Sequence, residues 1–342
     1  MGWTVAIGVD THKQTHTAVA LDRLGAQLGS CEVNATSAGY LELVRWAQAL
    51  GEPAFAVEGT GSYGAGLARL LITCGLALFE VERPSRRERR RGKNDLLDAA
   101  RAAGRLLAGE GLSVVRGGGQ PREDLRLLLL ERRSALRART ATLNQLHAVV
   151  LTAPAGLRER LDGLNGGKLA DRCLRLRRRN DSVECVLVSV LQRLARRAKL
   201  LASEQAEIEQ ELERIVTRLA PELRAECGVG PFCAAQLIVS SGDPARMRHE
   251  SSFAALAGTS PVEASSGPNR RHRLNRGGDR QLNCALHTIA LTRIRCHPET
   301  RAYHERLLAN GKTRREALRC IKRALARRIY RQLLTNPALT TT

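Results

Sequence analysis

The sequence predicts a mixed α/β domain of the ribonuclease-H kind at its amino end and a mainly helical remainder. Three observations predict it. Apolar runs follow one another at residues 3–10, 15–22 and 30–35. Strand-like and helix-like patterns then alternate to about residue 109. Beyond residue 120, two stretches keep helical spacing for far longer than an average helix.

The first two runs read as strands joined by a polar turn, Thr11 to Gln14, and SCEVNA adds a third strand as a meander. TSAGYLELVRWAQAL (36–50) offers Thr36 or Ser37 as a helix cap, then Leu41, Val44 and Leu50 at helical spacing. PAFAVE returns to strand and stops at Glu58 before a glycine-rich turn. Residues 64–75 form a helix closed by Gly75, and LALFEVE (76–82) is the next strand. Residues 85–109 begin as a basic run and become a helix. GLSVVRGGGQPRED (111–124) reads as a linker. Long helices from Pro121 to about Leu151 and over about 182–219 resemble the arms of an antiparallel hairpin or coiled coil. A basic helix, TRREALRCIKRALARRIYRQLL, closes the chain. The expected domains are 1–111, 112–220 and 221–342.

Composition narrows the function. With 342 residues and 43% hydrophobic side chains, the chain can build two or three cores. Its net charge of +21 repels itself in a compact fold unless a polyanion relieves it, and nucleic acid is that polyanion. Nine cysteines occur without a C-x-x-C pair, so they read as buried thiols of a reducing compartment. No long apolar run spans a membrane, and the first residues lack a signal-peptide pattern. The expected location is the bacterial cytoplasm, on the nucleoid.

Four acids stand where chemistry needs them. Asp10 ends the first strand and Glu58 the fourth. Asp95 and Asp98 share one helix face at i,i+3. If the first and fourth strands are neighbours, a helix laid across their carboxyl ends gathers all four. Such a cluster either raises its pKa values or binds Mg²⁺ or Mn²⁺ through oxygen ligands. Taken singly, each acid is equally a turn former, a solvated strand end or a helix-dipole partner. His12 and His16 fall in a turn and a strand and read as surface polar groups, with His12 near enough to Asp10 to touch substrate. The run SRRERRRGK brings Arg86, Arg87, Arg90 and Lys93 as backbone-phosphate contacts.

Two further stretches lie in the last third. GVGPFCAAQLI places Gly228 and Gly230 as the turn of a helix-hairpin-helix, whose amides bind phosphate, or as an ordinary turn before a helix. EASSGPNRRHRLNRGG sets Ser265 and Ser266 before Arg270, Arg271, Arg273 and Arg276. Arginines there could activate a serine hydroxyl against phosphate, or the loop could bind DNA without chemistry.

Together, Asp10, Glu58, the K-x-D-x-x-D-A pair and the GVGPFCAAQLI…SSG…RGGDRQL stretch resemble transposases of the insertion-sequence 110 group. The resemblance covers nearly the whole chain and implies a RuvC-like DEDD domain, a helical arm and a carboxy-terminal transposase domain. It implies a recombinase that excises and inserts its own element, guided by a non-coding bridge RNA and assembled as dimers and tetramers. It makes Asp10, Glu58, Asp95 and Asp98 the Mg²⁺ ligands and Ser266 the nucleophile, with Ser265 the alternative. Pro268 stands where that group often has a second glycine. A junction endonuclease that activates water, or a non-catalytic nucleic-acid-binding protein, is the competing reading.

Overall fold

A computed structural model describes residues 2–81, 94–115, 119–177, 184–263, 272–273, 275 and 277–340. It divides into two compact units, Met1–Gly117 and Gly118–Thr342.

The first unit is a mixed sheet with helices on both faces. Its elements are β1 (Val5–Thr11), β2 (Thr15–Leu21), β3 (Gln27–Asn34), α1 (Ser37–Ala49), β4 (Pro53–Glu58), α2 (Ala65–Thr73), β5 (Ala77–Val81), α3 (Asp95–Ala108) and β6 (Leu112–Val114). The strand order is β3-β2-β1-β4-β5-β6. β1, β4 and β5 run parallel, while β2, β3 and β6 are antiparallel to their neighbours. The expected adjacency of the first and fourth strands is present, with Val9 paired to Val57. The stretch expected as a linker contains β6, and the following helix starts earlier than expected, at Gly119. Three residues are too few to show a period of two, so pairing with β5 alone reveals that strand.

Alternation sorts the strands into two faces. Val5, Ile7, Val9, Phe55 and Val57 bury against α1 and α2. Ala6, Ala54 and Ala56 bury against Ala99, Ala102 and Ala103 of α3. Gly8 belongs to this second face. A Cβ built there would lie 1.9 Å from the Ala99 carbonyl oxygen and 2.3 Å from the Ala103 nitrogen. The small-residue seam therefore lets α3 rest directly on the sheet backbone. His16, expected at the surface, is fully buried in β2 and stacks on Tyr40 at 5.4 Å between ring centroids. Its position on a central strand overrides its polarity.

The second unit is helical: α4 (Gly119–Leu151), α5 (Ala155–Leu161), α6 (Gly166–Leu174), α7 (Glu184–Leu219), α8 (Pro221–Ala225), α9 (Pro231–Ser241), α10 (Glu250–Leu256), α11 (Arg280–Cys296), α12 (Pro298–Ala309) and α13 (Arg314–Thr335). A two-residue ribbon, β7 (Val262–Glu263) and β8 (His272–Arg273), precedes α11. α4 and α7 pack antiparallel, with Arg132 donating to Glu209 at 2.9 Å and Arg139 to Gln205 at 3.0 Å. The pair has a core at each end. Leu146 and Val150 join Leu191 and the helices α5 and α6 at one end. Leu125 and Leu129 join Leu212, Val216 and the helices from α8 onward at the other.

The cysteines depart from expectation. Among the described residues all nine are free thiols, but only Cys173 and Cys233 are buried. Cys227 and Cys296, 69 positions apart, bring their sulfurs within 3.6 Å. Among the described residues, no helix is long and apolar enough to cross a membrane.

Candidate active site

The carboxyl ends of β1 and β4 carry the first two acids. Val9 and Val57 are paired, so Asp10 and Glu58 follow side by side, one step further on. Alternation puts both on the face of Gly8, Ala54 and Ala56, the face that α3 covers. The Thr11 hydroxyl donates to the Glu58 carbonyl at 2.8 Å and ties the two strand ends together.

α3 supplies the other two. The Asn94 side chain caps the helix by accepting from the Leu96 amide, which fixes where it starts. Asp95 and Asp98 fill its first turn, where the helix dipole favours negative charge. Because Ala99 sits directly over Gly8, the turn before it is brought to the end of β1 where Asp10 stands.

The structure brings Asp10 and Asp95 together with a residue that sequence reasoning undervalued. His12 Nε2 lies 3.3 Å from Asp10 Oδ2 and 3.3 Å from Asp95 Oδ1. One ligand atom from each of the three residues falls within 4.8 Å of the others. The turn explains the fold-back. The His12 amide donates to the Thr15 carbonyl at 3.0 Å and closes the β1–β2 hairpin. The signal in the sequence was D-x-H at a strand end, but a two-residue spacing has no meaning until the turn is known.

Electrostatics describe a site short of positive charge. Burial is the main cause that raises the Asp10 pKa; Asp95 and Asp98 add to it, while His12 and the Thr11 amide oppose it. The Asp10 side chain is 13% exposed, whereas His12 at 41% and Asp95 at 47% leave one side open to solvent. His12 Nε2 is itself buried and makes no hydrogen bond, despite the two nearby carboxylates. A ring nitrogen that converges with two carboxylate oxygens at 3.3 Å without a hydrogen bond suits a shared cation. The donor set therefore fits a divalent metal ion. Asp98 stands one turn along α3 and accepts from Arg101 at 2.8 Å. Glu58 adjoins Asp10 on the next strand but is not one of the three converging groups.

The second unit holds the remaining expected residues. Gly228 and Gly230 lie in the turn between α8 and α9, and Gly228 has a φ of +82°. A Cβ there would meet Arg293 Cγ at 3.1 Å and the Ile289 carbonyl at 3.2 Å, so the turn needs glycine on two counts. Arg273 is in β8, paired with Val262. Ser265, Ser266, Arg270, Arg271 and Arg276 lie outside the described residues, as do Arg86, Arg87, Arg90 and Lys93. Ser240 donates to Asp279 at 2.7 Å, and Asp279 caps α11 through the Gln281 and Leu282 amides.

Two family models match separate parts of the chain. Residues 7–153 match a family model of DEDD transposases of the IS110 group, described as "Transposase". Residues 220–305 match a second model, "Transposase IS116/IS110/IS902 family". The chain is 25% identical to the insertion element IS900 uncharacterized 42 kDa protein of Mycobacterium paratuberculosis, over all of this chain and 99% of that protein. It is 37% identical over 101 residues to the insertion element IS110 uncharacterized 43.6 kDa protein of Streptomyces coelicolor, 29% of this chain and 25% of that one.

Proposed function

The chain belongs to the IS110 family of transposases, and from that premise we propose that it is a DNA recombinase that excises and inserts its own element with a two-part catalytic apparatus. One observation carries the reading: Asp10 and Asp95 converge with an imidazole nitrogen that makes no hydrogen bond, at the carboxyl end of an RNase H-like sheet.

In this reading Asp10, Glu58, Asp95 and Asp98 hold Mg²⁺ or Mn²⁺, with His12 beside them. A divalent cation bound there supplies charge to a reacting phosphodiester and polarises it. The four carboxylates would orient that charge, with Asp10 the least exposed of the three converging groups. Ser266, or Ser265, attacks phosphorus through its hydroxyl oxygen. The new serine–phosphate bond replaces the bond to the leaving DNA hydroxyl, and the serine proton passes to that leaving oxygen or to solvent. Attack by a freed DNA hydroxyl then breaks the link and regenerates the serine. Arg270, Arg271, Arg273 and Arg276 neutralise charge on phosphorus. The turn at Gly228 and Gly230, read as a helix-hairpin-helix, and the basic run from Arg86 to Lys93 hold the sugar–phosphate backbone. A bridge RNA encoded by the element selects the sites, and the α4–α7 arm, read as a coiled coil, joins subunits into dimers and tetramers.

A second reading has its own observation. The Asp10, His12 and Asp95 group is complete within the first unit, which is all that a RuvC-like endonuclease needs to activate water. A suicide DNA substrate with the guide RNA separates the two. A trapped protein–DNA adduct, lost in Ser266→Ala and Ser265→Ala together, supports the serine. Cleavage that survives both changes supports water.

A further inference from the structure

The second unit contains a cleft that shares only Arg273 with the catalytic reading. It has a volume of about 680 Å³ and lies between residues 258–261, β8 and one face of α13. Six cations line it: Arg273, Lys312, Arg319, Lys322, Arg323 and Arg327. On α13, positions 316, 319, 323 and 327 recur at helical spacing, so they form one stripe facing the cleft.

The six cations outnumber the acids beside them: Arg327 pairs with Glu250 at 3.0 Å and Arg319 lies 3.8 Å from Glu316. Glu316 is the sole acid among the described lining residues, and its carboxylate is already engaged. It accepts from the Thr313 amide at 2.9 Å and hydroxyl at 2.8 Å in the capping box of α13. Lys322 donates to Asn283 at 2.9 Å, a neutral partner. Arg323 Nη1 is buried with no partner. Burial and the adjacent Arg327 push the Arg323 pKa down against the pull of Glu250, and burial and Arg319 push Lys322 down against Cys284. A buried guanidinium donor without an acceptor is costly unless a ligand completes it. Six cations against one acid in the lining suit an anion with several acceptor oxygens, which describes a phosphate.

Size and lining refine the ligand. About 680 Å³ lies within the range of small-ligand pockets, roughly 300–1,000 Å³, and takes one or two nucleotide units rather than a duplex. Tyr303 lines the same cleft, with the Arg306 guanidinium over one face of its ring at 5.2 Å, and the opposite face is the one an unpaired base would take. We propose that this cleft binds an unpaired nucleotide, its phosphate on Arg319 and Arg323 and its base on Tyr303. The inference rests on the recombinase reading only for the origin of the strand, an end or bubble of the DNA being processed.

The test uses the full-length chain and a fluorescently labelled single-stranded DNA oligonucleotide. Arg319→Gln combined with Arg323→Gln should weaken binding at least tenfold and flatten the log–log salt dependence by about 0.7 for each phosphate no longer neutralised. Tyr303→Leu should weaken it about fivefold or more, with the salt slope unchanged. Arg218→Gln, which removes an exposed charge from α7, serves as the charge control and should bind like the parent. In the unsubstituted protein, an oligonucleotide carrying 5-iodouracil should photocross-link to the peptide that contains Tyr303. Cross-links confined to other peptides, or arginine variants that fold and bind like the control, overturn the proposal. Asp10→Asn protein should bind the oligonucleotide normally. If that variant still cuts DNA, the catalytic reading fails while the pocket stands.

Discussion

Gly8→Ala tests whether the contact of α3 with the sheet builds the acid cluster. The added methyl would sit 1.9 Å from the Ala99 carbonyl oxygen, and ordinary contact begins at about 3.4 Å. The helix must therefore lift by about 1.5 Å. Both atoms it meets, Ala99 O and Ala103 N, are backbone, so no rotamer change relieves the clash. Overpacking of this kind costs about 1–3 kcal/mol. The catalytic penalty is larger. Asp95 and Asp98 ride on the same helix, and a displacement of about 1 Å costs on the order of a hundredfold in rate. Two assays read the two effects: thermal unfolding, expected to fall by a few degrees, and Mn²⁺-dependent cleavage of a DNA substrate, expected to fall about a hundredfold. A variant that folds with normal stability and cuts at the parental rate refutes the argument that this seam positions the acids.

Other expectations follow from single sites. Asp95→Asn should raise the dissociation constant for Mn²⁺, measured by electron paramagnetic resonance of the free ion, and His12→Ala should do so to a smaller degree; unchanged titrations would remove both from the site. Chelation should stop cleavage and leave DNA binding in place, as judged by gel shift. Burial lowers the His16 pKa from its ordinary 6.5. Its native state therefore resists protonation, and its stability contribution, complete above pH 6.5, is lost as pH falls from there towards the lowered value. His16→Phe keeps the ring against Tyr40 and should show a smaller loss of melting temperature on acidification; parallel losses would contradict this. Arg293, with its side chain 6% exposed, pairs with Glu226 at 3.3 Å and donates to the Cys227 carbonyl. Arg293→Met should destabilise the second unit by about 3 kcal/mol, read by denaturant unfolding. Glu226 retains Arg328 and Gln332, which keeps the loss from growing further.

Much of the first unit was legible because its signals are local. The continuous apolar runs of β1 and β4 and the Asn94 cap of α3 can be read within a few residues. The approach of Asp10 to Asp95 followed from one assumption, the adjacency of β1 and β4, which the pairing of Val9 with Val57 supports. What stayed hidden depends on the third dimension. His12 joins the acids through a turn whose shape rests on one amide bond to Thr15. His16 is buried by packing on Tyr40, 24 positions away. Cys227 meets Cys296 through the register of α11 against the α8–α9 turn. The cleft beside α13 could not be read either, since its stripe of arginines looks like any solvated basic face until residues 258–261 are laid against it.

The two-ended core of the α4–α7 pair has a consequence during synthesis. Leu125 must wait for Leu212, which is made 87 residues later. At translation speeds of about 5–20 residues per second, that is roughly 4–17 s with one apolar stripe uncovered on the ribosome. The far end closes sooner, since Leu146 needs only Leu191. The nascent hairpin therefore zips from its tip downward, and the sticky lower half of α4 is where a chaperone would bind first.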